Sequence, residues 1–173
     1  MKKISPIILL IFTLFTSVAR ADFNDGVVAY LMGDYEKAFT TMQSLAETSD
    51  HGYAQYYLGM MYMKGQGVEQ DYKKAGEWFR KASEKNIPQA QYKLGDLYFK
   101  GRGVPKDYEF AYVWFSVGAS HQHKLSMSSV NKAKEKLSEE ELKEADKLIA
   151  TYIEKYGPKK DIDPNKPIEI DKE

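Results

Sequence analysis

The stretch YLGMMYMKGQGVEQDYKKAGEWF, Tyr57 to Phe79, returns 36 residues later as KLGDLYFKGRGVPKDYEFAYVWF, Lys93 to Phe115. A pattern that returns at this period constrains a chain more than any single motif. It marks like units that cannot each bury an apolar face alone and must stack on their neighbours. With Ala54–Gln89 aligned on Ala90–Leu125, 15 of 36 positions are identical. They include Leu58/Leu94, Gly59/Gly95, Tyr62/Tyr98, Asp71/Asp107, Trp78/Trp114 and Phe79/Phe115.

Each unit reads as two helices. Ala54, Leu58 and Tyr62 recur every fourth residue and share one face of the first helix. Gly59 sits mid-helix, where glycine costs about 1 kcal/mol against alanine, so a close approach by another helix is expected there. Gly65 and Gly67 then stop the helix and turn the chain. A phosphate-binding loop would precede a helix and carry G-K-[ST]; this one follows a helix and lacks it. Asp71 and Asp107 are placed to cap the second helix, whose buried face is Tyr72, Ala75, Phe79 and Ala82. Asn86-Ile87-Pro88 ends it.

Weaker copies flank the pair. Asp34-Tyr35-Glu36-Lys37-Ala38 repeats the D-Y-x-x-A signature behind a helix over Phe23–Met32. After the second unit, Lys124–Leu137 reads as one helix, and Ser138–Glu141 is a capping box for the next. Terminal units of an array are expected to depart from the pattern in this way. The expected fold is therefore all-α, an α/α solenoid of about four antiparallel helix pairs. The boundaries are 1–21 leader, 22–53 first pair, 54–89 and 90–125 repeats, 126–156 capping helices and 157–173 flexible tail.

The leader pairs Lys2 and Lys3 with an apolar run, Pro6–Phe15, and Ala19-Arg20-Ala21, the layout of a secretory signal peptide cleaved after Ala21. The run is shorter than the ~20 residues that span a bilayer as a helix. Its removal leaves 22 basic against 25 acidic residues, a net charge of −3. That balance argues against nucleic acid as a partner. With no cysteine in the chain, disulfides, thiolate zinc sites and cysteine nucleophiles are excluded. The expected location is the periplasm or the medium of a bacterium, with no membrane span after cleavage, as a monomer or weak oligomer.

The pattern A-x-x-x-L-G-x-x-Y-x-x-G-x-G-V-x-x-D-x-x-x-A-x-x-W-F closely resembles the Sel1-like repeat, a relative of the tetratricopeptide repeat with two antiparallel helices per unit. The resemblance is strong over Ala54 to about Gln122, and Asp22–Gly52 looks more like a tetratricopeptide unit. Some secreted members staple each helix pair with a disulfide; here packing alone must serve. Leu58, Gly59, Tyr62, Trp78, Phe79 and their counterparts Leu94, Gly95, Tyr98, Trp114, Phe115 form the expected repeat core. Each tryptophan is expected to be worth about 3–5 kcal/mol against alanine.

What the resemblance implies is a protein-interaction module, an adaptor or regulator, without enzymatic activity. In its layout the first helices line a concave groove. Its wall would be Tyr53, Tyr56, Met60, Met63 and Lys64 in one unit and Gln89, Tyr92, Asp96, Phe99 and Lys100 in the next, with Val27, Tyr30 and Leu31 from the N-terminal pair. Aromatics and methionine are enriched at interfaces. A peptide or protein laid in the groove is the expected partner. Rival readings are a binder or enzyme for cell-wall fragments or β-lactams, as some cysteine-rich relatives suggest, and a structural subunit of an envelope assembly. No S-x-x-K or G-x-S-x-G set supports catalysis. His51, His121 and His123 do not form a convincing chelate, because residues two apart on a helix diverge. No cofactor and no metal is expected.

Overall fold

A computed structural model describes residues 22–159, so the leader at 1–21 and the tail from residue 160 onward lie outside the described residues. Among the described residues eight helices follow one another: α1 Phe23–Met32, α2 Tyr35–Thr48, α3 Gly52–Lys64, α4 Tyr72–Glu84, α5 Pro88–Lys100, α6 Tyr108–Ser120, α7 Lys124–Lys134 and α8 Glu139–Tyr156. From α1 to α7 each helix packs on the next in the chain. The described residues contain helices and turns and no strand.

The D-Y signature works as helix chemistry. Asp34 Oδ1 accepts from the Lys37 amide, Asp71 Oδ1 from those of Lys73 and Lys74, and Asp107 Oδ1 from that of Phe110. Each satisfies a donor that the first turn leaves free. Gly33, Gly65 and Gly101 close α1, α3 and α5 in the left-handed conformation. The units are separated by three non-glycine residues of positive φ, Asp50, Asn86 and Gln122, again 36 residues apart.

Gly59 and Gly95 require glycine for space. A Cβ on Gly59 would lie 2.6 Å from the Phe79 ring, and one on Gly95 would lie 2.7 Å from the Phe115 ring. The close approach expected at mid-helix is thus to the phenylalanine of the paired helix. Gly67 and Gly103, at φ +69° and +70°, pass so near the start of the preceding unit's second helix that a Cβ would meet Tyr35 O at 2.3 Å and Tyr72 O at 2.2 Å. The second glycine of each loop is therefore the contact between units, while the first ends the helix.

Leu58, Phe79, Leu94, Gly95 and Phe115 are buried as expected, Trp114 is 1% exposed, and Tyr98 closes the core edge, stacked on Phe110 at 5.4 Å. Two expected core residues are placed differently. Trp78 is only partly buried, with the Lys81 ammonium 4.2 Å over its ring. Tyr62 is also partly buried, edge-on to Phe39 at 5.6 Å and covered outside by Lys74. The cause at the tryptophans is α8. It does not take α7 as its main partner but folds back along α6, where Tyr152 meets Trp114 edge-on at 5.2 Å and Tyr156 stacks on it at 5.8 Å. Among the described residues no helix does the same for Trp78. The Ser138–Glu141 capping box that starts α8 is present, with both reciprocal bonds.

The two tryptophans therefore separate in urea denaturation. Trp114→Ala is expected to cost about 3–5 kcal/mol, the range of a buried aromatic truncated in a core. Trp78→Ala is expected to cost less, about 1–2 kcal/mol, because its ring is partly exposed and no helix seals it among the described residues. Equal losses would contradict the role given to α8.

Candidate functional site

The first helix of each unit is wrapped by its partners on one side and open on the other. On that open side α3 places Tyr56, Met60 and Met63, all partly buried against the main core, and α5 places Tyr92 and Phe99 in the same way. Tyr53 is 43% exposed at the start of α3. Lys64 and Lys100 are exposed at the helix ends and Asp96 is partly buried. Tyr56, Met60, Met63, Tyr92 and Phe99 are neither sealed in the core nor free in water. They form an apolar floor that opens to solvent.

The aromatic rings are braced from beneath. Tyr56 lies 6.0 Å from Phe79 and 5.7 Å from Tyr57. Tyr92 lies 5.7 Å from Phe115 and 5.6 Å from the His123 ring. Phe99 meets Tyr108 edge-on at 5.2 Å. At the N-terminal end Tyr30 packs on Tyr57 at 5.1 Å and gives its hydroxyl proton to Gln66, while Val27 packs on the small N-terminal core. Leu31 is 75% exposed.

Between α5 and α7 the face deepens into a recess of about 210 Å³ lined by Tyr92, Asp96, Phe99, Phe115 and Ser129, with Lys100 and Lys132 at its edge. Lys100 donates to Asp96 Oδ2 at 2.8 Å. Lys93 lies over Tyr92 at 5.7 Å. Burial pushes its ammonium below the ordinary lysine range, Asp96 pulls it back, and Lys64 and Lys100 push it further down. Lys64 on α3 thus acts on Lys93 on α5, across the boundary between the two units. Burial likewise raises the Tyr56 phenol, which stays neutral. Lys64, Lys93, Lys100 and Lys132 stand against Asp96, so this face is basic on a chain without net positive charge.

Lys93, Ser129 and Lys132 were not among the expected wall residues. Lys132 was within reach of the period: it lies 36 residues after Asp96, as Asp96 does after Met60. Lys93 escaped because its counterpart, Tyr57, belongs to an inner aromatic cluster with Phe23 and Tyr30. The histidines are cap residues. His51 Nδ1 accepts from the Ala54 amide and starts α3; His123 Nδ1 accepts from the Ser126 amide and starts α7. His121 closes α6 and meets the Tyr156 carbonyl at 3.0 Å. The described residues hold no group of three metal-ligating side chains.

The Sel1 repeat profile matches residues 52–87 and 88–123, two contiguous units. The chain carries two Sel1 repeats. Their frame starts two residues before the 54–89 and 90–125 boundaries and coincides with the starts of α3 and α5. Among solved structures the chain is similar to a protective antigen of uropathogenic Escherichia coli with an SLR fold, at 31% identity and a TM-score of 0.75, over 84% of this chain and 32% of that one. It is also similar to a Sel1 repeat protein from Oxalobacter formigenes, at 27% identity and a TM-score of 0.61, over 76% of this chain and 56% of that one. The chain thus spans about a third of the first and just over half of the second. No curated protein matches it. The fold is that of Sel1 helical repeat proteins, which typically serve as protein-interaction modules.

One titration follows from the cap geometry. The Ser126 amide can only donate, so His123 Nδ1 must carry a lone pair and the ring must be neutral. Burial, and then Lys93, lower its pKa from the model-peptide value of 6.5. A lowered histidine pKa means that the folded state binds fewer protons than the unfolded one. Its contribution is full above about pH 6.5 and is lost as pH falls through the lower folded value. Urea midpoints from about pH 7 to 5 should fall more steeply for the natural chain than for His123→Asn, which caps without titrating. Parallel curves would contradict the cap.

Proposed function

We propose that this protein is a non-enzymatic interaction module that binds a segment of a partner protein across the open side of α3 and α5. The favoured segment is extended or helical and combines apolar side chains with acidic ones. The observation that carries this is the combination on one face: partly buried Tyr56, Met60, Met63, Tyr92 and Phe99 beneath four lysines and one aspartate. Apolar residues supply affinity in a groove of this kind, and unlike charge supplies steering and register. The methionines can repack around differing side chains. The recess beside Phe115 suits one anchoring side chain. Export to the periplasm or the medium is part of the proposal and rests on the Lys2–Ala21 leader. Among the described residues no helix is long and apolar enough to cross a membrane.

Selection of random displayed peptides on the purified chain tests the reading. The enriched sequences should pair acidic with aromatic or aliphatic residues. Their affinity should fall about tenfold or more when Met60→Ala and Phe99→Ala are combined, the scale of losing interface anchors. It should also fall as salt rises. Enriched peptides without acidic bias, or binding indifferent to both substitutions, would overturn it.

A further inference from the structure

The C-terminal helix displays what fits a second place on the molecule. Its last turn covers Trp114 with Tyr152 and Tyr156. The Tyr156 carbonyl accepts from Gln91 Nε2 at 2.8 Å and meets His121 Nε2 at 3.0 Å. One period earlier, the positions of Trp114, Gln91 and His121 are held by Trp78, Gln55 and Lys85. These three line an open cleft of about 410 Å³ beside the end of α2. Gln55 is 1% exposed, and its Oε1 finds no partner among the described residues.

At the place that the Tyr156 carbonyl takes in the covered cleft, the open one holds a carboxylate. Asp50 accepts from Gln55 Nε2 at 2.6 Å and from the Lys85 ammonium. Lys85 and then Gln55 hold the Asp50 carboxyl below its ordinary range. In the next unit the counterpart is Asn86, whose Oδ1 is buried and has no partner among the described residues, while Gln91 serves Tyr156. The open cleft is thus the covered one with an exposed, local acceptor in place of a helix end.

We propose that the Trp78 cleft is a second docking site. It takes the last turn of an amphipathic helix from a partner protein, with an aromatic residue against Trp78 and the terminal carbonyl on Gln55 and Lys85 in exchange for Asp50. Lys81 and Lys85 line the cleft together with Glu47, Asp50 and Glu84, so it has no net positive charge; a helix C-terminus carries partial negative charge and would meet the Lys85 ammonium locally, once Asp50 has given up its place. The docking is confined to one turn. Where α6 carries the buried Val113 and Val117, α4 has Glu77 and Lys81. The site lies away from the face of α3 and α5, and neither depends on the other.

The test is a titration of the full 15N-labelled chain with a helix-stabilised peptide of the α8 sequence, Leu142–Gly157, followed at the Trp78 indole and Gln55 amide signals. Saturable shifts at both are expected, with a Kd of roughly 10–100 μM. Trp78→Ala should weaken binding about tenfold, as removal of an aromatic anchor does. Asp50→Ala should tighten it severalfold, since the competing acceptor is gone. A purely structural Asp50 would give no tightening. Three outcomes would overturn the proposal: no shift at Trp78 near ~1 mM peptide; shifts confined to Trp114, meaning exchange with the resident helix; or shifts at Trp78 that follow chain concentration without peptide, meaning that a second copy is the occupant.

Discussion

The structure depends on a ring lying flat where a side chain is missing. Phe79 occupies the space over Gly59, and Phe115 the space over Gly95. This sets how closely the two helices of each unit approach. It also fixes the height of the neighbouring residues. Tyr56 rests on Phe79, and Tyr92 rests on Phe115, so the floor of the open face is the upper surface of the same contact. Packing and site are two sides of one layer. That layer must hold without cysteine, and burial of large aromatics is the term available to it.

The electrostatics of the face do not follow from the chain as a whole. A sequence with 25 basic and 25 acidic residues nevertheless gathers Lys64, Lys93, Lys100 and Lys132 around one aspartate. Lys93 is the informative member. Its partly buried ammonium is disfavoured by desolvation and by two neighbouring lysines. An acidic group laid across the face would offset both effects by direct attraction.

Much of this was legible in the sequence because the repeat supplied two copies of each inference. The glycines at helix ends, the aspartate caps, the Leu58 and Leu94 core and the α3 and α5 face all follow from periodicity and capping chemistry. The two tryptophans mark the limit. Equivalent places in the repeat predict equal burial, and what separates them is α8, 38 residues beyond Trp114 at Tyr152. The signal was present in the exchange of Glu77 and Lys81 for Val113 and Val117, which makes α6 apolar on a side where α4 is charged. Tyr62 was misplaced for a related reason: helical spacing fixes a direction but not which neighbour reaches far enough to cover it. Lys93 could not be read from its repeat partner, because Tyr57 turns to a cluster with Phe23 that the second unit lacks.

The central claim is that the open side of α3 and α5 is where a partner sits. Photo-crosslinking in the native cell tests it most directly, with the probe at Met60, at Phe99 and, as a control, at the exposed Lys147 on α8. The account predicts one discrete adduct, shared by Met60 and Phe99 and absent from Lys147. An adduct from Lys147 alone, or none from either face position, would contradict it.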